Sequence, residues 1–133
     1  MAAPTKRPAG SRLQFFVETT GVALGEDANM ANGITYYAEF VSINDAYVAT
    51  HLIWDAAVVA TVTWESSNDP TAETYDLASG GKWVDEADIA DVAINLAAGA
   101  DMMQHASWCA ARGRVKVAVT TGGRCYGYRH SKV

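Results

Sequence analysis

Cysteine and proline are scarce in this chain of 133 residues: two cysteines, Cys109 and Cys125, and three prolines, Pro4, Pro8 and Pro70. Two thiols cannot staple a disulfide scaffold, so a packed core has to hold the fold. A chain this long buries roughly two thirds of its unfolded surface, enough for such a core. The two cysteines flank Gly122-Gly123. A hairpin turning there leaves them about ten residues out of register, too far for a bridge, so both are expected as free thiols in a reducing compartment. Long apolar runs are missing as well. No segment approaches the ~20 apolar residues of a membrane-spanning helix, and no membrane partner is expected. The basic N-terminus has no apolar stretch behind it and does not read as a secretory signal. Apolar residues make up 50% and charged residues 19%, which excludes disorder throughout and leaves one globular domain as the expectation.

Motifs that carry chemistry are equally sparse. His51, His105 and His130 have no His-x-x-x-His spacing and there is no Cys-x-x-Cys, so no zinc set is assigned. The acidic cluster Asp85, Glu86, Asp88 and Asp91 lacks the alternating ligands and glycine turn of a calcium loop and reads as a solvated face. Gly21 and Gly25, Gly80-Gly81-Lys82 and Gly122-Gly123-Arg124 lack the spacing of a phosphate loop. A nucleophile pair of Cys109 with His51 or His105 has no supporting motif. No catalytic residue, cofactor or metal is assigned, and the chain is read as not an enzyme.

Charge is present but unevenly laid out. Residues 1–14 carry Lys6, Arg7 and Arg12 without an acid, for +3; residues 15–111 hold all fifteen acids against Lys82 alone, for −14. Residues 112–133 carry six basic residues and no acid, for +6, and the net charge is −5. Basic ends around an acidic middle can pair within one fold, between identical subunits, or with a foreign polyanion.

Period-two alternation dominates the rest. Residues 1–12 hold two of the three prolines with Gly10 and Ser11, and read as an extended basic arm ahead of one domain over 13–133. Leu13, Phe15 and Val17 alternate with Gln14, Phe16 and Glu18 as a half-buried strand, and residues 21–33 read as a loop. Strands are expected over 34–43, 47–54 and 57–65. In the last, Val58, Ala60, Val62 and Trp64 share the core face, and Thr61, Thr63 and Glu65 the wet one. Ile89, Val92, Ala93 and Leu96 recur at helical spacing behind Asp85, Glu86 and Asp88, which allows one short helix. Val115, Val117 and Val119 alternate with Arg114, Lys116 and Thr120, and with Tyr126 and Tyr128 beyond Gly122-Gly123 they read as a hairpin. The expected fold is all-β: an antiparallel β-sandwich or jelly roll, with the arm and at most that one helix.

Two binding surfaces follow from composition. Arg112, Arg114, Lys116, Arg124 and Arg129 interleave with Tyr126 and Tyr128, the chemistry of a single-strand platform, but the −14 middle repels phosphate, so nucleic acid is not expected as a partner. Exposed tryptophan on a β-sandwich suits carbohydrate. Of Trp54, Trp64, Trp83 and Trp108, Trp64 falls in phase with the core, and Trp83, beside Gly80-Gly81, is expected at the surface.

One arrangement is familiar. A strand, Ala60-Thr61-Val62-Thr63-Trp64, closes on Glu65-Ser66-Ser67-Asn68-Asp69. An isolated Trp83 follows, then Arg114-Val115-Lys116-Val117 and Gly122-Gly123. Over about residues 57–133 this resembles the small β-sandwich virion proteins of tailed bacteriophages. The resemblance implies a structural role as a capsid decoration (cement) protein, head-fibre base, or tail or neck component. It also implies a homo-oligomer, a trimer or larger ring, that binds the major capsid shell and assembles in the host cytoplasm. Under that reading Lys6, Arg7 and Arg12 of the arm, together with Trp83, are the residues expected to meet a partner; otherwise the arm is an unstructured tail. The competing reading is a carbohydrate-binding module.

Overall fold

The structure is a computed structural model, and it describes residues 11–13, 16–25, 27–41, 47–54, 58–95, 101–107 and 110–132. Among the described residues there are twelve strands: β1 (Ser11–Leu13), β2 (Phe16–Glu18), β3 (Ala23–Gly25), β4 (Asp27–Met30), β5 (Thr35–Val41), β6 (Tyr47–Trp54), β7 (Val59–Ser67), β8 (Val84–Asp85), β9 (Val92–Asn95), β10 (Asp101–Ser107), β11 (Arg112–Thr121) and β12 (Gly123–Lys132). All pair antiparallel, in two sheets. The first runs β1-β12-β6-β10, with β4 also on β12. The second runs β3-β2-β5-β11-β7-β8, with β9 also on β7. The expected all-β sandwich is therefore the observed fold.

Apolar residues at alternate positions build the space between the sheets. Tyr36, Ala38 and Phe40 of β5, Ala60, Val62 and Trp64 of β7, and Val115, Val117 and Val119 of β11 come from the second sheet. Val48, Leu52 and Trp54 of β6, Met30 of β4 and Cys125 of β12 come from the first. Phe40 and Trp64 meet edge to face, centroids 6.0 Å apart at 69°, a geometry that adds about 0.5–1.5 kcal/mol to area burial. The core face read from the sequence for Val58, Ala60, Val62 and Trp64 is correct, as all four are buried.

Several local expectations fail, each for a tertiary reason. The C-terminal hairpin is not one: β11 pairs with β5 and β7 in the second sheet, while β12 pairs with β1, β4 and β6 in the first. Gly122 carries the chain from one layer to the other. A Cβ there would collide with the carbonyl oxygen of Met30, and the Gly122 amide donates to Asn32 Oδ1 at 2.7 Å. The glycine thus serves close backbone approach rather than a two-residue turn. The short helix is absent too. Val92 and Ile94 pair with Val62 and Ala60 along the open edge of β7, with Ile94 buried and Ala93 and Asn95 exposed. That edge offers unpaired backbone groups, and β-branched residues fit it better than a helix. The only helical turn among the described residues is a 3-10 turn, Ala78–Gly80.

The expected loop over 21–33 contains β3 and β4. The strand read over 13–18 is split between sheets, β1 in the first and β2 in the second, so Phe16, placed on the polar side by alternation, is fully buried. Ser11 and Arg12, assigned to the arm, lie in β1, where Arg12 stands opposite Arg129 of β12. Lys6, Arg7, Trp108 and Cys109 lie outside the described residues.

Candidate functional site

The outer face of the second sheet is where the sequence reading was least complete. Thr61 is exposed and Thr63 half-buried, as a wet face requires, but Glu65 and Ser67 are buried. Glu65 lies opposite Arg114, and Arg114 lies opposite Glu39 on its other side. An acid, a base and an acid therefore stand in one row across β7, β11 and β5. Residues 68–83 leave β7 and cross this row as a strap that closes water out.

Arg114 is the centre. It is 0% exposed, and its partner Glu65 is 2% exposed. Its Nε donates to Glu65 Oε1 at 2.8 Å. Its Nη1 donates to two strap carbonyls, Thr74 O at 2.8 Å and Asp76 O at 2.6 Å. Nη2 also lies 2.8 Å from Glu65 Oε1, but without hydrogen-bond alignment, so this contact is an ion pair alone. The guanidinium carbon lies 4.0 Å from the Tyr37 ring centroid and 4.4 Å from that of Trp83. Arginine makes such contacts over aromatic faces more often than lysine does.

A second arginine repeats the device at the rim. Arg112 grips Glu39 with both ends of its fork, Nε to Oε2 at 3.1 Å and Nη2 to Oε1 at 2.7 Å. Its Nη1 donates to Asp69 O at 2.8 Å, and its guanidinium lies 5.2 Å from the Trp83 centroid. Thr74 Oγ1 completes Glu39, donating to Oε1 at 2.8 Å. Trp83 Nε1 donates to Glu73 O at 2.9 Å. The strap is folded locally by Asp69, whose Oδ1 accepts from the amide and hydroxyl of Thr71 at 2.8 and 2.7 Å, an Asx turn. Asn68 Oδ1 accepts from the Ala111 amide at 2.7 Å and ties the strap to the approach of β11.

Protonation follows from these contacts. Burial pushes Arg114 below the ordinary arginine range, opposed by the Glu65 charge. Hydrogen bonding to Glu39 pushes Arg112 up. Burial raises Tyr37 although the Arg114 charge opposes it. The Thr71 hydrogen bonds hold the Asp69 carboxyl below the usual range. Beside the strap lies an open groove of about 280 Å³, lined by Ser66, Ser67, Asn68, Asp69, Gly81, Lys82, Val84 and Ala110.

The expected surface residues distribute differently. Trp83 is 1% exposed, not at the surface: the two arginines and the strap carbonyl enclose it, so its ring cannot stack on a ligand or partner. Trp54 and Trp64 are also buried, so three of the four tryptophans considered for carbohydrate present no face. The single-strand platform is not assembled, because Arg112, Arg114 and Lys116 belong to one sheet and Arg124, Tyr126, Tyr128 and Arg129 to the other. Cys125 is buried and in no disulfide, as expected. Among the described residues no group of three or more His, Cys, Asp or Glu side chains is arranged to hold a metal. Sequence reasoning missed the buried arginine; its one signal was a cation alternating with valines on a strand whose neighbours each bring an acid. No protein-family model matches the chain, and no curated protein matches it.

Proposed function

We propose that this protein is a non-enzymatic structural component of a bacteriophage virion, a capsid decoration protein that self-associates and binds the major capsid shell, assembling in the host cytoplasm. One observation supports the reading best. The three stretches that carry the resemblance to phage virion proteins are the strand that contains Glu65, the isolated Trp83 and the Arg114 strand, and they meet in one buried cluster. The pattern is therefore a physical unit, a strap locked onto a sheet, and its polar groups are turned on one another. Such a lock gives a rigid outer face, which suits repeated, oriented contacts between copies better than turnover. The acidic middle and basic ends favour the same role, and Arg112 and Arg114 of the C-terminal basic segment already have acidic partners within the fold.

Native mass measured by light scattering at low and high salt tests the proposal. A trimer or larger assembly that dissociates in high salt is the expected result, and assigns the charged segments to the contacts. A monomer at every concentration and salt level refutes self-association.

A further inference from the structure

Where β8 parts from β7 the two chains diverge. Their ladder holds Glu65 to Asp85 and Ser66 to Val84, and goes no further. The open groove of about 280 Å³ lies in the gap, with Ser66, Ser67, Asn68 and Asp69 on one wall and Gly81, Lys82 and Val84 on the other. Both walls are anchored in the strap lock. Arg112 Nη1 donates to the Asp69 carbonyl, and the Ala111 amide holds Asn68. Between Lys82 and Val84, the Trp83 ring is packed against both guanidinium groups. Walls fixed in this way keep the groove formed before any ligand arrives.

The polar side chains that line it are each half engaged. Asn68 accepts through Oδ1, which leaves both Nδ2 hydrogens to donate. Asp69 uses Oδ1 for the amide and hydroxyl of Thr71, and its Oδ2 carries no hydrogen bond among the described residues. Ser67, which is buried, accepts from the Asp69 amide at 3.0 Å and keeps its own O–H. On the other wall Lys82 Nζ reaches only the Thr71 carbonyl, at 3.5 Å. Val84, 60% exposed, adds apolar surface. This set selects among ligands. One carboxylate facing an ammonium suits neither a metal ion, which asks for several oxygens without a competing cation, nor an anion, which the carboxylate repels. An extended peptide is stopped by the ladder that closes one end at Ser66 and Val84. A sugar ring carries neighbouring hydroxyls, each able to give and to accept, and the wall offers both. The volume falls just under the ~300–1,000 Å³ of sites for drug-sized molecules, which leaves room for one ring.

We infer that the groove between the end of β7 and the start of β8 is a preformed site for a single neutral pyranose ring, which takes hydrogen bonds from Asn68 and Lys82 and gives one to Asp69. Trp83 is turned into the lock and supplies no stacking face, so affinity should be on the order of millimolar. The site goes beyond the virion role proposed above and does not depend on self-association.

Amide-detected NMR titration of the isotope-labelled full chain tests it, with the methyl pyranosides of gluco, galacto and manno configuration and, separately, inorganic phosphate. At least one pyranoside should give saturable shifts of the amides of 66–69 and 81–84. Lys82→Met should weaken that binding about ten-fold, the scale of one charge-assisted hydrogen bond, and leave Tm unchanged because Lys82 is exposed. Thr61→Ala, exposed on β7 outside the groove, should bind as the parent does. No saturable shift with any of the three sugars overturns the inference, as does binding that Lys82→Met leaves intact. Saturation by phosphate alone overturns it in favour of an anion site. Native mass decides self-association separately: an assembly that binds none of the sugars leaves the virion proposal standing, and a monomer that binds one does the reverse.

Discussion

Replacing Arg114 by methionine tests the strap lock directly. The substitution leaves Glu65, 2% exposed, without its countercharge, and takes the donor from the carbonyls of Thr74 and Asp76. Removing one partner of a buried pair costs about 3–5 kcal/mol, because the remaining charge stays desolvated. Unfolding entropy near 2.1 cal/mol/K per residue gives about 0.28 kcal/mol/K for this chain, so Tm should fall by about 11–18 °C. Scanning calorimetry measures that shift. Hydrogen exchange should show amides of residues 71–82 opening before the rest of the second sheet. The double variant Arg114→Met with Glu65→Leu should recover much of the loss, since an apolar pair avoids both desolvation costs. Arg114→Lys should recover little, because an ammonium cannot span Glu65 and two carbonyls while stacking on two rings. If Arg114→Met costs under about 1 kcal/mol with the strap amides still protected, the pair behaves as an exposed one and the argument fails.

Gly122→Ala drives a Cβ into the Met30 carbonyl oxygen and should cost about 2 kcal/mol or more; an unchanged melting temperature would show that the sheet-to-sheet crossing can relax. Tyr37 has a pKa raised from 10.0 by burial, so its contribution to stability is complete below that value and lost as pH rises through the folded-state pKa. In an alkaline absorbance titration Tyr37→Phe should remove a late tyrosinate transition, and loss of an early one would contradict the burial. Asp69 is shifted the other way, so the Asx turn at Thr71 should hold above the ordinary carboxylate range and loosen as acid protonates it, read from exchange of the Thr71 amide. In a Cys109→Ser background Cys125, fully buried, should react with thiol reagents only on unfolding; rapid labelling of the native protein would place it elsewhere.

The sandwich was legible because alternation reports a two-faced strand directly: β5, β6, β7, β11 and β12 all follow from it. Partner choice was not. Val115 to Thr120 and Tyr126 to Tyr128 alternate equally well whether their strands pair with each other or enter opposite sheets, so alternation alone does not choose between the two. Ile89, Val92 and Ala93 satisfy a helical spacing by coincidence, and the open edge of β7 captured Val92 and Ile94 instead. The buried site was the least visible part. Alternation assigns Glu65 and Arg114 to water, and what reverses this is a sixteen-residue excursion, 68–83, whose own sequence of turns and acids gives no sign that it lies back over the sheet. Trp83 stands isolated in the sequence, yet its ring is the lid over two guanidinium groups rather than a surface.

The alternation of the chain between layers bears on how the protein reaches its native state. Among the described strands, taken in chain order, the backbone passes from one sheet to the other eight times, and β12, far along the chain, is the one that β1, β4 and β6 all require as a neighbour. The first sheet therefore has no centre until β12 is in place. Topologies so rich in distant pairings fold slowly, on the millisecond-to-second scale, and the waiting strands keep unpaired edges in the meantime. Neither layer can be cut out as an independent fragment, and a truncation inside β12 should release both sheets in a single cooperative step rather than trim one.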